Sequence, residues 1–141
     1  MKLRESYTCP LEIVHDIIKG KWKTIIIFQL RNGKCSFSEL RHSIAGITQK
    51  MLLEQLHELK SFGLINKKTY DGYPLKVEYF LTKRGEKMLS AIKIMQEIGI
   101  EYMIEHDIKL SRAVLSSARN REAGAPSSAL WSYVSERPIA G

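Results

Sequence analysis

The stretch Ser36–Gly63, SFSELRHSIAGITQKMLLEQLHELKSFG, constrains this chain more than any other. Ser36 and Glu39 have the S-x-x-E spacing of a capping box, which starts a helix carrying Phe37, Leu40 and Ile44 inward. Ala45-Gly46 interrupts that helix. Thr48 then offers an N-cap to a second one, and Gly63 can end it in a left-handed conformation. On a 3.6-residue wheel Met51, Leu52, Leu56, Leu59 and Phe62 form one apolar stripe. The opposite face carries Lys50, Glu54, His57 and Ser61, with Gln49 and Lys60 on its border. A short helix locking a second one with amide and cationic side chains at its N-terminus suits a DNA major groove. A helical hairpin with a solvated polar face fits the same residues, so the flanking chain has to decide.

Downstream of Gly63 the period changes. Leu64–Tyr70, then Asp71-Gly72 and Tyr73-Pro74, then Leu75–Thr82 read as two strands about a turn. Leu75, Val77, Tyr79 and Leu81 alternate with Lys76, Glu78 and Phe80, the period of a half-buried strand. Lys67, Lys68 and Lys76 gather towards the hairpin. A basic hairpin directly after a recognition-type helix makes a winged helix-turn-helix, whose wing reaches phosphates or the adjacent minor groove. Charge distribution agrees with that order. Residues 19–84 hold thirteen Lys and Arg against five Asp and Glu, while 85–107 hold two against five. The net charge of +7 is therefore concentrated where a phosphate backbone would lie.

Upstream, Thr8-Cys9-Pro10 marks a helix start, with proline tolerated in the first turn. Leu11, Ile13, Val14, Ile17 and Ile18 follow with helical spacing until Gly20. Thr24–Leu30 is β-branched and admits a strand or a helix; its length and the Asn32-Gly33 stop favour a helix burying Trp22, Ile25, Ile26 and Leu30. Thr82–Gly85 opens a long helix to about His106. Along it run Met88, Leu89, Ile92, Met95, Ile98, Tyr102 and Met103, widened by Ile94, Ile100 and Ile104. One small domain cannot cover that much apolar surface, which predicts a homodimer about a two-fold axis.

Residues 1–107 are expected to form one domain. Residues 108–141, rich in Ser, Ala, Gly and Pro, read as a flexible tail or a vector-derived extension in which only Trp131 and Tyr133 are suited to packing. No apolar run approaches the roughly 20 residues of a membrane span. The N-terminal MKLRESYTCP lacks the apolar region of a signal peptide. With two cysteines and no disulfide framework, a cytoplasmic protein with reduced thiols is expected.

With this order laid out, the chain resembles the HxlR-type winged helix-turn-helix transcriptional regulators of bacteria from about Tyr7 to His106. The resemblance rests on Cys9–Glu12, Gly20–Lys23, Phe37–Arg41, Gly46–Leu52, Leu56–Leu59, Gly63–Ile65 and Val77–Thr82 followed by Gly85. It implies a mainly α fold with one β-hairpin wing, dimerised through N- and C-terminal helices and lacking catalytic activity. The family's wing usually has a double proline before V-E-Y; here Leu75 follows Pro74.

The expected partner is double-stranded DNA carrying a near-palindromic operator. The expected contacts are Ser38, Arg41, Thr48, Gln49, Lys50, Leu53 and His57 on the helix pair, with Lys67, Lys68 and Lys76 on the wing. Gln49 can pair bidentately with adenine, and Lys50 can reach guanine or a phosphate. A winged helix used only for protein recognition is the alternative. No catalytic motif or metal-ligand spacing appears among the four scattered histidines, so neither an enzyme nor a cofactor or metal is expected.

Cys9 is the candidate for regulation. A helix start favours a thiolate, Lys2 and Arg4 favour it further, and Glu5 and Glu12 oppose it. In the resembling family some members sense oxidants or electrophiles through a cysteine at this place, and others keep it without such a role. Packing as a small hydrophobe and control by a non-covalent ligand stay open beside it. Cys35, read in a loop before Ser36, is the weaker thiol candidate.

Overall fold

The computed structural model describes residues 2–110. The expectations for residues 111–141, including Trp131 and Tyr133, lie outside them. Among the described residues there are five helices and a three-stranded antiparallel sheet. In chain order these are α1 (Pro10–Ile18), α2 (Lys23–Gln29), β1 (Cys35–Ser36), α3 (Phe37–Ser43), α4 (Gln49–Ser61), β2 (Ile65–Tyr70), β3 (Lys76–Leu81) and α5 (Lys83–Glu105). The strands lie in the order β1-β3-β2. This is a winged helix-turn-helix.

The local signals in α3 and α4 are used as their residues suggest. The Ser36 hydroxyl accepts from the Glu39 N–H at 3.2 Å, while the Glu39 carboxylate accepts from the Ser36 N–H at 2.7 Å. The Thr48 hydroxyl accepts from the Met51 N–H at 3.2 Å, and Gly63 closes α4 with φ +73. Leu40, Leu52, Leu56 and Leu59 then meet Ile26, Ile27, Leu30, Leu64 and Ile65 in one core.

The ambiguous Thr24–Leu30 segment is helical. Ile26, Ile27, Phe28 and Leu30 are all buried, so α2 is apolar over most of its circumference. Such a helix loses its amphipathic signature, and its β-branched residues imitate a strand. Trp22 and Ile25, expected in its buried face, are half-buried against the core.

Two expectations need correction. Cys35 is not in a loop: it forms β1 with Ser36, pairing with Tyr79 and Glu78 of β3. A two-residue strand has no period to read, and its partner lies more than forty residues away. Leu75 does not continue the buried face of β3; it sits at the wing tip, 68% exposed beside the fully exposed Tyr73.

The start of α5 is fastened to the end of α4. The Thr82 hydroxyl accepts from the Gly85 N–H at 3.1 Å and donates to the Gly63 carbonyl at 2.6 Å. A Cβ at residue 85 would collide with the Leu64 carbonyl oxygen, so only glycine permits this approach. Beyond that junction α5 buries Leu89, Ile92 and Ile100, while Ile94, Met95, Ile98 and Tyr102 are each more than half exposed. Helix α1 has an apolar face but no buried residue, and Leu11 is 76% exposed. No described helix is long and apolar enough to cross a membrane.

Candidate nucleic-acid interface

The burial of Leu52, Leu56 and Leu59 fixes which face of α4 looks outward. Gln49, Lys50, Leu53 and His57 are all exposed and share one stripe, because Leu53 stands four residues from Gln49 and from His57 and three from Lys50, steps that stay on one side of a helix. Thr48 is exposed immediately before them and caps the helix with its hydroxyl. Leu53, 49% exposed amid polar neighbours, offers an apolar contact of the kind a thymine methyl takes. On α3, Ser38 and Arg41 are exposed. The Ser38 carbonyl lies 2.7 Å from His42 Nδ1, and its hydroxyl lies 3.3 Å from that of Ser36. The helix-pair candidates are therefore brought to accessible faces of consecutive helices.

The wing lysines are not one cluster. In the β2–β3 register Lys67 pairs with Tyr79, Lys68 with Glu78, and Tyr70 with Lys76. Side chains of paired residues share a face and alternate along the strand. Lys67 therefore stands on the face of Ile65 and Tyr79, near the helices, whereas Lys68 and Lys76 stand on the outer face. There the Lys68 and Lys76 ammonium groups lie 5.0 and 5.5 Å from the Tyr70 ring centroid. Glu78 sits opposite Lys68, and a hydrogen bond with it holds the Tyr70 hydroxyl above the usual phenol range. The acid tempers the positive field of the outer face and leaves Lys67 apart from it. Sequence spacing alone hid this split, since it depends on register.

Two cations escaped the sequence reading. Lys34 joins the outer face, its ammonium 5.8 Å from the Phe80 ring centroid. Its signal would have been β1, too short to recognise. Lys23 is only 3% exposed and makes an ion pair with Glu58 of α4 at 2.6 Å. That hydrogen-bonded partner pulls the Glu58 carboxyl below the usual carboxylate range. A lysine one residue past a tryptophan gives no sequence signal of burial.

Away from this face, an open cleft of about 470 Å³ lies between α2, the turn after α3 and α5. Trp22, Phe28, Ile92 and Met103 line it, with Lys21, Thr24, Gln29, Ser43 and Gln96 as polar members. Cys9 is exposed and precedes Pro10 at the start of α1, and Cys35 is half-buried. The Glu12 carboxylate accepts from the Thr8 N–H at 2.9 Å and the Cys9 N–H at 3.4 Å. The Thr8 contact is the main reason this carboxyl is held below its usual range. The environment of Cys9 thus includes a fixed negative charge.

A helix pair whose second member carries a mixed amide, cationic and apolar outward face, followed by a basic hairpin, is the arrangement of a DNA-binding transcriptional regulator. The model of the HxlR-like helix-turn-helix family matches residues 17–107, and the chain belongs to that family. It is 40% identical over 98 residues to an uncharacterized helix-turn-helix transcriptional regulator of Methanothermobacter thermautotrophicus, covering 70% of this chain and 75% of that one. Among solved structures, the reduced form of the redox regulator HypR superimposes with a TM-score of 0.62 at 40% identity, over 64% of this chain and 90% of that one. The reduced form of the transcriptional regulator YodB from B. subtilis does so with a TM-score of 0.58 at 32% identity, with the same coverage.

Proposed function

We propose that residues 1–107 form a homodimeric, sequence-specific regulator of transcription that reads a near-palindromic operator through α4. Thr48, Gln49, Lys50, Leu53 and His57 enter the major groove. Ser38 and Arg41 approach the flanking backbone, and Lys67, Lys68 and Lys76 hold phosphates from the two faces of the wing. The observation that carries this reading is the contrast of outward faces: polar and cationic on α4, apolar on α5. Two copies joined along the Ile94, Ile98 and Tyr102 stripe, with α1 covered at the same junction, would present two recognition helices to half-sites about 34 Å apart. Duplexes selected by the protein from a random library should show an inverted repeat, and their retention in gel shifts should fall steeply with salt. Absence of enrichment would remove the DNA-reading assignment and favour a protein-recognition module.

For regulation, the reading is modification of Cys9 by an oxidant or electrophile at the dimer junction, which changes the spacing of the two α4 helices and releases DNA. Its support is the exposure of Cys9 at a helix start and the likeness to a redox regulator. Diamide or a quinone should release DNA from the wild type and from Cys35→Ser but not from Cys9→Ser. If Cys9→Ser releases DNA equally well, the thiol switch is abandoned. The 470 Å³ cleft favours a second reading, a non-covalent apolar ligand wedged between α5 and the helix-turn-helix. Gly99 lines it with open space beyond its Cα, so Gly99→Leu should fill the cleft and abolish any such response while sparing a Cys9 response.

A further inference from the structure

Lys23 is an expensive residue to place where it is. It opens α2, where the helix dipole already disfavours a cation, and it is almost wholly buried. Removing an ion pair from water costs several kcal/mol per ion, and apolar pairs of like volume often serve stability as well or better. Stability is therefore a poor reason for Lys23 to face Glu58 at 2.6 Å.

Its location suggests another reason. Helix α2 packs along α5, sharing the cleft walls through Thr24, Ile25 and Phe28 on one side and Ile92, Met95 and Ile100 on the other. Glu58 lies on α4 roughly a third of a turn from the Gln49, Leu53 and His57 stripe. The pair is thus a direct polar tie between the helix seated on α5 and the helix that faces DNA. In the core α4 is otherwise held by Leu52, Leu56 and Leu59, with Met51 and Phe62 packed against them, and apolar contact is non-directional. A hydrogen-bonded ion pair is directional and restrains rotation of α4 about its axis.

We propose that Lys23 is a positioning residue for DNA recognition: its ion pair with Glu58 sets the rotation of α4 against α2 and α5, so that two copies meet half-sites at one spacing. This rests on the dimeric DNA-binding reading above. A polar tie serves such a task better than an apolar one because a small angular error at each α4 is carried to both half-sites. The affinity at stake is the part that two-site engagement adds to one-site binding.

The experiment uses duplexes selected by the full-length wild type from a random library; failure to enrich any would remove the DNA-reading assignment above and overturn this proposal with it. On the enriched sequence, half-site spacing is varied by one and two base pairs, and isolated half-sites are measured alongside. The variants are Glu58→Gln and the apolar replacement Lys23→Met/Glu58→Leu, each melted to monitor folding. The expected result for the double variant is a melting temperature within about 5 °C of wild type and unchanged half-site affinity. Its full-site affinity should fall about tenfold, with loss of the sharp spacing optimum. Glu58→Gln should broaden the optimum in the same direction. If either folded variant keeps the wild-type spacing preference and full-site affinity, the pair is structural and the proposal is overturned. Failure of both to fold makes it a folding requirement and overturns the positioning role equally.

Discussion

Helices α4 and α5 begin alike and face the outside differently. Each is capped by a threonine whose hydroxyl accepts the N–H three residues on, and each buries an aliphatic stripe in the same core: Leu52, Leu56 and Leu59 from α4, Leu89 and Ile92 from α5. On α4 the outward stripe is Gln49, Lys50, Leu53 and His57; on α5 it is Ile94, Ile98 and Tyr102. The inward faces serve one fold, and the outward faces differ in chemistry as the two proposed partners, DNA and a second copy, would require. An exposed apolar stripe costs solubility unless something covers it, and a second copy is the simplest cover.

The sharpest way to break the contrast is to make α5 outwardly resemble α4. Ile98→Glu should convert a particle of about twice the 16.2 kDa chain mass into a monomer by sedimentation. Full-site DNA affinity should then fall by about 100-fold or more as two-site engagement is lost. An unchanged mass with intact binding would remove α5 as the interface. Next in size is Gln49→Ala, expected to cost roughly 1–3 kcal/mol on the selected duplex and to relax a single base position. Lys67→Ala/Lys68→Ala should act on every sequence alike. It should lower the slope of log affinity against log salt by about 2, which a titration over salt concentration measures.

Within α5 two glycines sharpen the comparison of inward and outward faces. Gly99→Ala meets open space and should raise stability by about 0.5–1 kcal/mol in denaturant titration, whereas Gly85→Ala at the Leu64 carbonyl should lower it. The smallest effect concerns acid. The folded-state pKa of Glu58 is depressed, so its ion pair adds stability above the ordinary carboxyl range and loses it as pH falls through the lower folded value. Between about pH 5 and pH 3 wild type should therefore lose more stability than Glu58→Gln, whose glutamine cannot titrate. Parallel acid limbs would show that the pair contributes nothing there.

Much of the fold was legible because its signals are local. The Ser36/Glu39 box, the Thr48 and Thr82 caps, Gly63, and the change from a 3.6-residue to a 2-residue period all act within a few residues. The candidate contacts on α4 were legible for the same reason: once Leu52, Leu56 and Leu59 are inward, helical geometry leaves Gln49, Leu53 and His57 outward. The overlap of Cys9–Pro10 with a helix start was equally local.

Apart from the two-residue β1, sequence by itself thus determined the order of elements, the caps and the outward stripes of α4 and α5, since each follows from short-range hydrogen bonding and periodicity. Tertiary structure bears out the helix that the length of Thr24–Leu30 and the Asn32-Gly33 stop favour, although burial on nearly every side blurs the pattern that separates helix from strand. It alone joined Cys35 to Tyr79, split Lys67 from Lys68 and Lys76, and set Lys23 against Glu58. Those three outcomes depend on strand register and on contacts between residues far apart in the chain, where no local energy term records which partner will be met.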